Sequence, residues 1–127
     1  MNLVDSCGWL EYFAGGPNAD FFAPALEVKD SSLIVPTLCL FEVFKKVLAQ
    51  FGREQAIEKV AAMRQGDIVH LDDSLALEAA LLSHELKLSM ADSVILATAR
   101  SHGAVLWTQD AHFAGIAGVQ YRAKPKS

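Results

Sequence analysis

The sequence predicts a three-layer α/β/α fold around a central, mostly parallel sheet of four to five strands, and three observations carry that prediction. The apolar runs Leu33-Ile34-Val35 and Ala104 to Thr108 lack polar alternation, the pattern of strands covered on both faces. Segments with apolar residues at helical spacing separate these runs, so strands alternate with helices, the order that builds a parallel sheet. The chain has 127 residues, 52% of them hydrophobic, which suits one domain with a sizeable core and leaves little room for a second. A single domain over residues 1–127 is therefore expected, with a basic, mobile tail at 122–127.

Taken in order, Leu3 and Val4 close a first buried strand that ends in Asp5. A short helix over Trp9 to Phe13 stops at Gly15-Gly16-Pro17. Asn18 is a fair cap for a second helix through about Glu27, with Phe21, Phe22 and Leu26 as its apolar face and a kink or break at Pro24. Asp30-Ser31-Ser32 is a turn. Leu33-Ile34-Val35 is the second strand, ended by Pro36. Thr37 caps a helix from Leu38 to about Gln50, in which Leu40, Phe44, Val47 and Leu48 recur at helical spacing. Gly52 breaks the chain. A further helix spans Arg53 to Gln65, with Ile57, Val60 and Met63 inward, and Gly66-Asp67 turns into a short strand at Ile68 to Leu71.

Asp72 or Asp73 caps a helix from Ser74 to about Leu86. Its broad stripe of Leu75, Leu77, Ala79, Leu81 and Leu82 implies contact on two sides, some of it a candidate dimer surface. Ser89-Met90-Ala91-Asp92 has the Ser-x-x-Asp form of a capping box. The helix it opens, Met90 to Ser101, is apolar or small on most sides and therefore central, and Gly103 is placed to end it. Ala104 to Thr108 is the fourth strand. A short helix around Ala111 to Ile116 and a weak strand at Gly118 to Tyr121 close the fold.

Composition excludes several classes. No apolar run approaches the roughly 20 residues that span a membrane. The N-terminus enters a strand directly and has no signal-peptide pattern, so the expected location is the cytoplasm. Cys7 and Cys39, the only cysteines, match no metal spacing and read as small buried thiols. The net charge of −4 argues against nucleic-acid binding by bulk charge, but a site rich in carboxylates lowers net charge itself.

Four acids share one structural address. Asp5 follows the first strand, Glu42 lies early in the helix after the second, Asp92 opens the helix before the fourth, and Asp110 follows the fourth. Right-handed crossovers place the ends of parallel strands at one edge of the sheet. Carboxylates gathered there repel one another, so some take up protons or a cation neutralises them. Hard oxygen ligands suit Mg²⁺ or Mn²⁺, and phosphodiester hydrolysis is the chemistry such a site supports. Each acid alone has a plainer role: Asp5 and Asp110 as caps, Asp92 in its capping box, Glu42 paired with Lys45 or Lys46. The common edge favours the functional reading. Most other acids, Glu11 among them, read as solvated. His70, His84, His102 and His112 do not pair at ligand spacing, and His112 reads as a surface imidazole within reach of substrate. Lys45, Lys46, Arg53 and Arg64 read either as solubility charges or as a rim that guides a nucleic-acid backbone.

Val4-Asp5-Ser6 with Trp9 and Tyr12-Phe13, Val35-Pro36-Thr37 with Glu42, Met90-Ala91-Asp92-Ser93, and Leu106-Trp107-Thr108-Gln109-Asp110 with His112-Phe113 together resemble PIN-domain proteins, in particular VapC-type toxins. The resemblance runs from residue 3 to about 121. It implies a metal-dependent endoribonuclease of a type II toxin–antitoxin pair. The family's four acidic Mg²⁺ or Mn²⁺ positions fall on Asp5, Glu42, Asp92 and Asp110. Thr108 and Ser6 resemble the family's polar positions that orient water or a carboxylate beside the metal, although a hydroxyl at a strand end also serves its own turn. Single-stranded RNA as substrate, a cognate antitoxin and a homodimer are implied as well.

Two other functions compete. A receiver-type phosphoacceptor domain needs an acidic pair after the first strand and a Lys after a later one, and this chain has neither. A non-cleaving PIN-fold interaction module would not need the intact acidic set. A haloacid-dehalogenase-like phosphatase is excluded because Asp5-Ser6-Cys7 lacks the second Asp of a D-x-D pair.

Overall fold

A computed structural model describes residues 1–27 and 32–126. The chain runs β1 (Asn2–Val4), α1 (Ser6–Ala14), α2 (Ala19–Leu26), β2 (Leu33–Pro36), α3 (Thr37–Phe51), α4 (Arg53–Met63), β3 (Asp67–Val69), α5 (Asp73–Leu86), α6 (Met90–Ser101), β4 (Val105–Thr108), a 3-10 turn (Ala111–Phe113) and β5 (Val119–Tyr121). The five strands form one sheet in the order β3-β2-β1-β4-β5, every pairing parallel. Six helices flank it in the three-layer arrangement that the alternation of elements predicts. Among the described residues no helix is long and apolar enough to cross a membrane.

The sheet grows outward from β1, with β2 and β3 on one side and β4 and β5 on the other. Leu3 pairs with Ile34 across one edge of β1 and with Leu106 across the other. The direction of winding therefore reverses between β1 and β4. In an open α/β sheet the crevice at the carboxyl ends of such a strand pair is where ligands bind.

Leu3, Val4, Ile34, Val35 and Leu106 are buried in the main core, as strands covered on both faces require. Gly8 lets α1 approach it closely: a Cβ there would stand 2.5 Å from Val4 Cγ1 and 2.7 Å from Phe22 Cε1. Gly15 ends α1 at φ 63, a left-handed conformation that glycine adopts without strain. A smaller cluster, Leu75 and Ala79 with Val94 and Ala97, joins α5 to α6.

Several local expectations are corrected. α2 runs through Pro24 without breaking. Pro24 and Asp20, whose carbonyl loses its helical partner, both lie on the exposed side, where that carbonyl is open to solvent. Asn18 stands at the α2 cap position but makes no capping bond, and Thr37 is the first residue of α3 rather than its cap. The buried stripe of α3 is Cys39, Val43 and Val47; of the four residues expected, Val47 is buried, Leu40 and Phe44 pack against the core partly buried, and Leu48 is exposed. On α4 Ala56 faces inward while Ile57 is exposed, and on α5 Leu77 and Leu81 are exposed. Hydrophobic spacing locates a helix face only to within a neighbouring position, because small residues such as Cys39 and Ala56 occupy the closest contacts. The turn expected at Asp30-Ser31 lies outside the described residues.

Candidate active site

β1 and β4 deliver the first two acids. Asp5 leaves β1 as the N-cap of α1, its Oδ1 accepting from the Gly8 amide at 2.9 Å. Capping fixes the carboxylate at the sheet edge, so cap and site residue are one role here. The Thr108 hydroxyl, at the end of β4, donates to Asp5 Oδ2 and accepts from the Asp110 amide at 2.9 Å. The Cys7 thiol lies 3.0 Å from Asp5 Oδ1 and 3.1 Å from Oδ2. Asp5 is only 3% exposed. Burial pushes its pKa up to about 6, against the bonds from Cys7, Thr108 and Gly8, and the Asp110 charge adds to the rise. Burial also raises the Cys7 thiol, and the Asp5 charge raises it further, so it stays a neutral donor.

Asp92 comes from the first turn of α6, where the Ser89 hydroxyl accepts from the Asp92 amide at 3.2 Å. Its pKa is raised by burial and by the charges of Asp110 and Glu42, against the pull of His112. Asp110 caps the 3-10 turn by accepting from the His112 amide at 2.9 Å. That turn swings the His112 ring back over the acids, with Nδ1 at 2.8 Å from Asp110 Oδ1 and 3.7 Å from Asp92 Oδ2. Glu42 is held from a fourth element, α1, by the Ser6 hydroxyl, which donates to its Oε1 at 2.6 Å.

Asp92, Asp110 and His112 thus offer ligand atoms that all lie within 4.8 Å of one another. Asp5 and Glu42 stand outside that group but close enough to share its field, Asp5 with Asp110 and Glu42 with Asp92. Among the described residues no lysine or arginine forms an ion pair with any of the four acids. Glu42 is bonded to Ser6 rather than to Lys45 or Lys46. Carboxylates gathered with so little compensating charge, with mostly hard oxygen donors, are a donor set that fits Mg²⁺ or Mn²⁺.

Two residues are corrected by the structure, and a third is sharpened. His112 is exposed, the surface imidazole expected, and its ring also sits at the acids, a placement legible in Asp110-x-His112 once Asp110 is recognised as a turn cap. Cys7 is half-buried against Asp5 rather than a core thiol. Glu11 is buried, not solvated: it accepts from the Asn18 amide at 2.8 Å and faces Lys124 Nζ at 3.6 Å. Asn18, fully buried, donates to Gln109 Oε1 at 3.0 Å and to the Ala123 carbonyl at 3.2 Å. It thereby ties the C-terminal segment to the loop between Thr108 and Asp110. Nothing in the local sequence marks the partners of the Asn18 side chain, because they are 91 or more residues away.

A family model described as PIN domain matches residues 3–119. Among solved structures, the chain is similar to a toxin–antitoxin complex from Klebsiella pneumoniae, at 26% identity and a TM-score of 0.77, covering 94% of this chain and 96% of that one. It is similar in fold to the sarcin-ricin-loop-cleaving toxin VapC20 of Mycobacterium tuberculosis, at 20% identity and 0.73, covering 92% and 95%. A third structure, VapBC2 from Rickettsia felis bound to a promoter DNA fragment, aligns at 15% identity and 0.73, covering 96% and 97%. No curated protein sequence matches the chain.

Proposed function

The chain belongs to the PIN-domain family, and from that premise we propose that it is the VapC-type toxin of a type II toxin–antitoxin pair, an endoribonuclease that hydrolyses phosphodiester bonds of single-stranded RNA. The observation that carries the reading is the Asp92–Asp110 pair beside buried Asp5 at the strand-order reversal, uncompensated by lysine or arginine among the described residues. Asp5, Glu42, Asp92 and Asp110 would hold Mg²⁺ or Mn²⁺. Such an ion supplies activation of a water nucleophile and neutralisation of charge at the attacked phosphate. The chain's own groups prepare that site. Thr108 and Cys7 keep the Asp5 carboxylate oriented, and Ser6 fixes Glu42. His112 holds Asp110 from the solvent side.

The similar structures include a toxin–antitoxin complex and VapBC assemblies, which supports a cognate antitoxin as partner. Exposed Leu77 and Leu81 on α5 support a homodimer. Expression with and without the neighbouring open reading frame tests the reading. Growth arrest that requires Asp5 and is relieved by the neighbour is the expected result. Arrest that persists in Asp5→Asn, or no arrest at all, contradicts it.

A further inference from the structure

We propose that His112 is a metal ligand: its Nδ1 joins the carboxylates of Asp92 and Asp110 as a third donor to one divalent ion, and this nitrogen turns the site toward Mn²⁺ and away from Mg²⁺. This rests on the nuclease reading, in which four carboxylates hold the ion, and adds a nitrogen to them. One ligand atom from each of the three residues lies within 4.8 Å of the other two. Around an octahedral ion with bonds of about 2.1 Å, neighbouring donors stand about 3 Å apart and opposite donors about 4.2 Å apart. Nδ1 lies 2.8 Å from Asp110 Oδ1 and 3.7 Å from Asp92 Oδ2, spacings that suit donors of one coordination sphere.

The backbone of the 3-10 turn sets this arrangement. Phe113, fully buried, pins the turn to the core, and its amide donates to the Asp110 carbonyl at 3.1 Å. Asp110 Oδ1 meets both the amide and the ring of His112. The ring itself is 76% exposed, so its polar contacts with the two acids, rather than burial, set its direction. Asp5 and Glu42, by contrast, are held by an amide, a thiol and hydroxyls. Mg²⁺ keeps to oxygen donors, whereas first-row transition ions accept imidazole nitrogen, so a histidine in the donor set separates Mn²⁺ from Mg²⁺. The other role open to the ring is that of a counter-charge, displaced when an ion arrives. Removing a counter-charge tightens the binding of every cation, whereas removing a nitrogen ligand weakens the binding of the ion that accepts nitrogen. The two roles therefore differ in sign.

Full-length wild type, His112→Ala and His112→Asn test the proposal, with His84→Ala, an exposed histidine on α5, as control. Calorimetry on the metal-free proteins reads Mn²⁺ and Mg²⁺ affinity, and electron spin-echo modulation of bound Mn²⁺ reads nitrogen coupling directly. Wild type and His84→Ala should show the coupling of an imidazole nitrogen. His112→Ala should lose it, bind Mn²⁺ about tenfold more weakly and bind Mg²⁺ within about twofold of wild type. The retained Mg²⁺ binding shows that the acids still assemble in the variant. His112→Asn, which places an amide oxygen near the position of Nδ1, should lose the coupling and the Mn²⁺ preference while keeping Mg²⁺ affinity. Mn²⁺ bound to wild type without nitrogen coupling overturns the ligand role, as do equal losses for the two ions or tighter binding of both by His112→Ala. If that coupling is absent while wild type cleaves single-stranded RNA, the ligand role falls and the nuclease stands. If the coupling is present and depends on His112 but no RNA is cut, the nuclease reading falls and the ligand role stands.

Discussion

The Thr108 hydroxyl donates to Asp5 Oδ2 across the β1–β4 pair, linking residues 103 apart in the chain. The same oxygen accepts from the Asp110 amide, so one side chain sets the positions of two acids. Thr108→Val keeps the shape and removes both bonds. It should cost about 1–3 kcal/mol in urea denaturation and lower kcat at least tenfold with little change in KM. Thr108→Ser should retain most activity. Unchanged kcat in Thr108→Val would contradict the positioning role.

Asp5 sets a pH dependence of defined sign. Its folded pKa, about 6, lies above the ordinary 3.8, so the folded protein holds the proton more tightly than the unfolded chain. Its contribution is full below pH 3.8 and is lost as pH rises through 6. Metal-free protein should therefore lose on the order of 3 kcal/mol of stability across that window. Asp92, also raised, acts in the same direction. Asp5→Asn should flatten the slope and melt higher than wild type at pH 7 in EDTA. Equal slopes for the two proteins would show that Asp5 is not under this strain.

Divalent metal should reverse the effect. Mg²⁺ or Mn²⁺ at about a hundredfold over its Kd should stabilise the protein by about 2.7 kcal/mol. The gain should be larger at pH 7.5 than at pH 5, because protons and metal compete for the same oxygens. Asp92→Asn should abolish the melting shift. A shift that survives in Asp92→Asn would place the metal elsewhere.

Asn18→Ala removes the bonds that tie Gln109 and the 122–123 carbonyls together. It should cost about 1–3 kcal/mol and lower kcat while leaving RNA affinity close to wild type. Hydrogen exchange should show faster opening of the Gln109 and Arg122 amides. If only stability changes, Asn18 is structural alone.

The elements of this fold are legible in the chain because buried parallel strands and apolar helices leave strong periodic signals. Residue-level placement is less so. Leu40 and Phe44 carry the larger side chains and pack against the core only partly buried, while Cys39 and Val43 are fully buried, since volume at the closest contact decides the face. In the site, the address of each acid follows from strand order, which alternation predicts. The exact division does not: Asp92 and Asp110 gather with His112, and Asp5 and Glu42 are held by separate hydroxyls. Those distances depend on side-chain bonds between distant segments. Buried Glu11 was unreadable in part for the same reason: the Asn18 amide that it accepts from is close in the chain, but Lys124 comes from its far end.

Cleavage of single-stranded RNA by purified wild type and Asp5→Asn, each with Mn²⁺ and with EDTA, tests the central claim most directly. The account predicts cleavage by wild type with Mn²⁺, none in EDTA, and a loss of at least about a hundredfold in a folded Asp5→Asn protein. Undiminished cleavage by a clean Asp5→Asn preparation would contradict it.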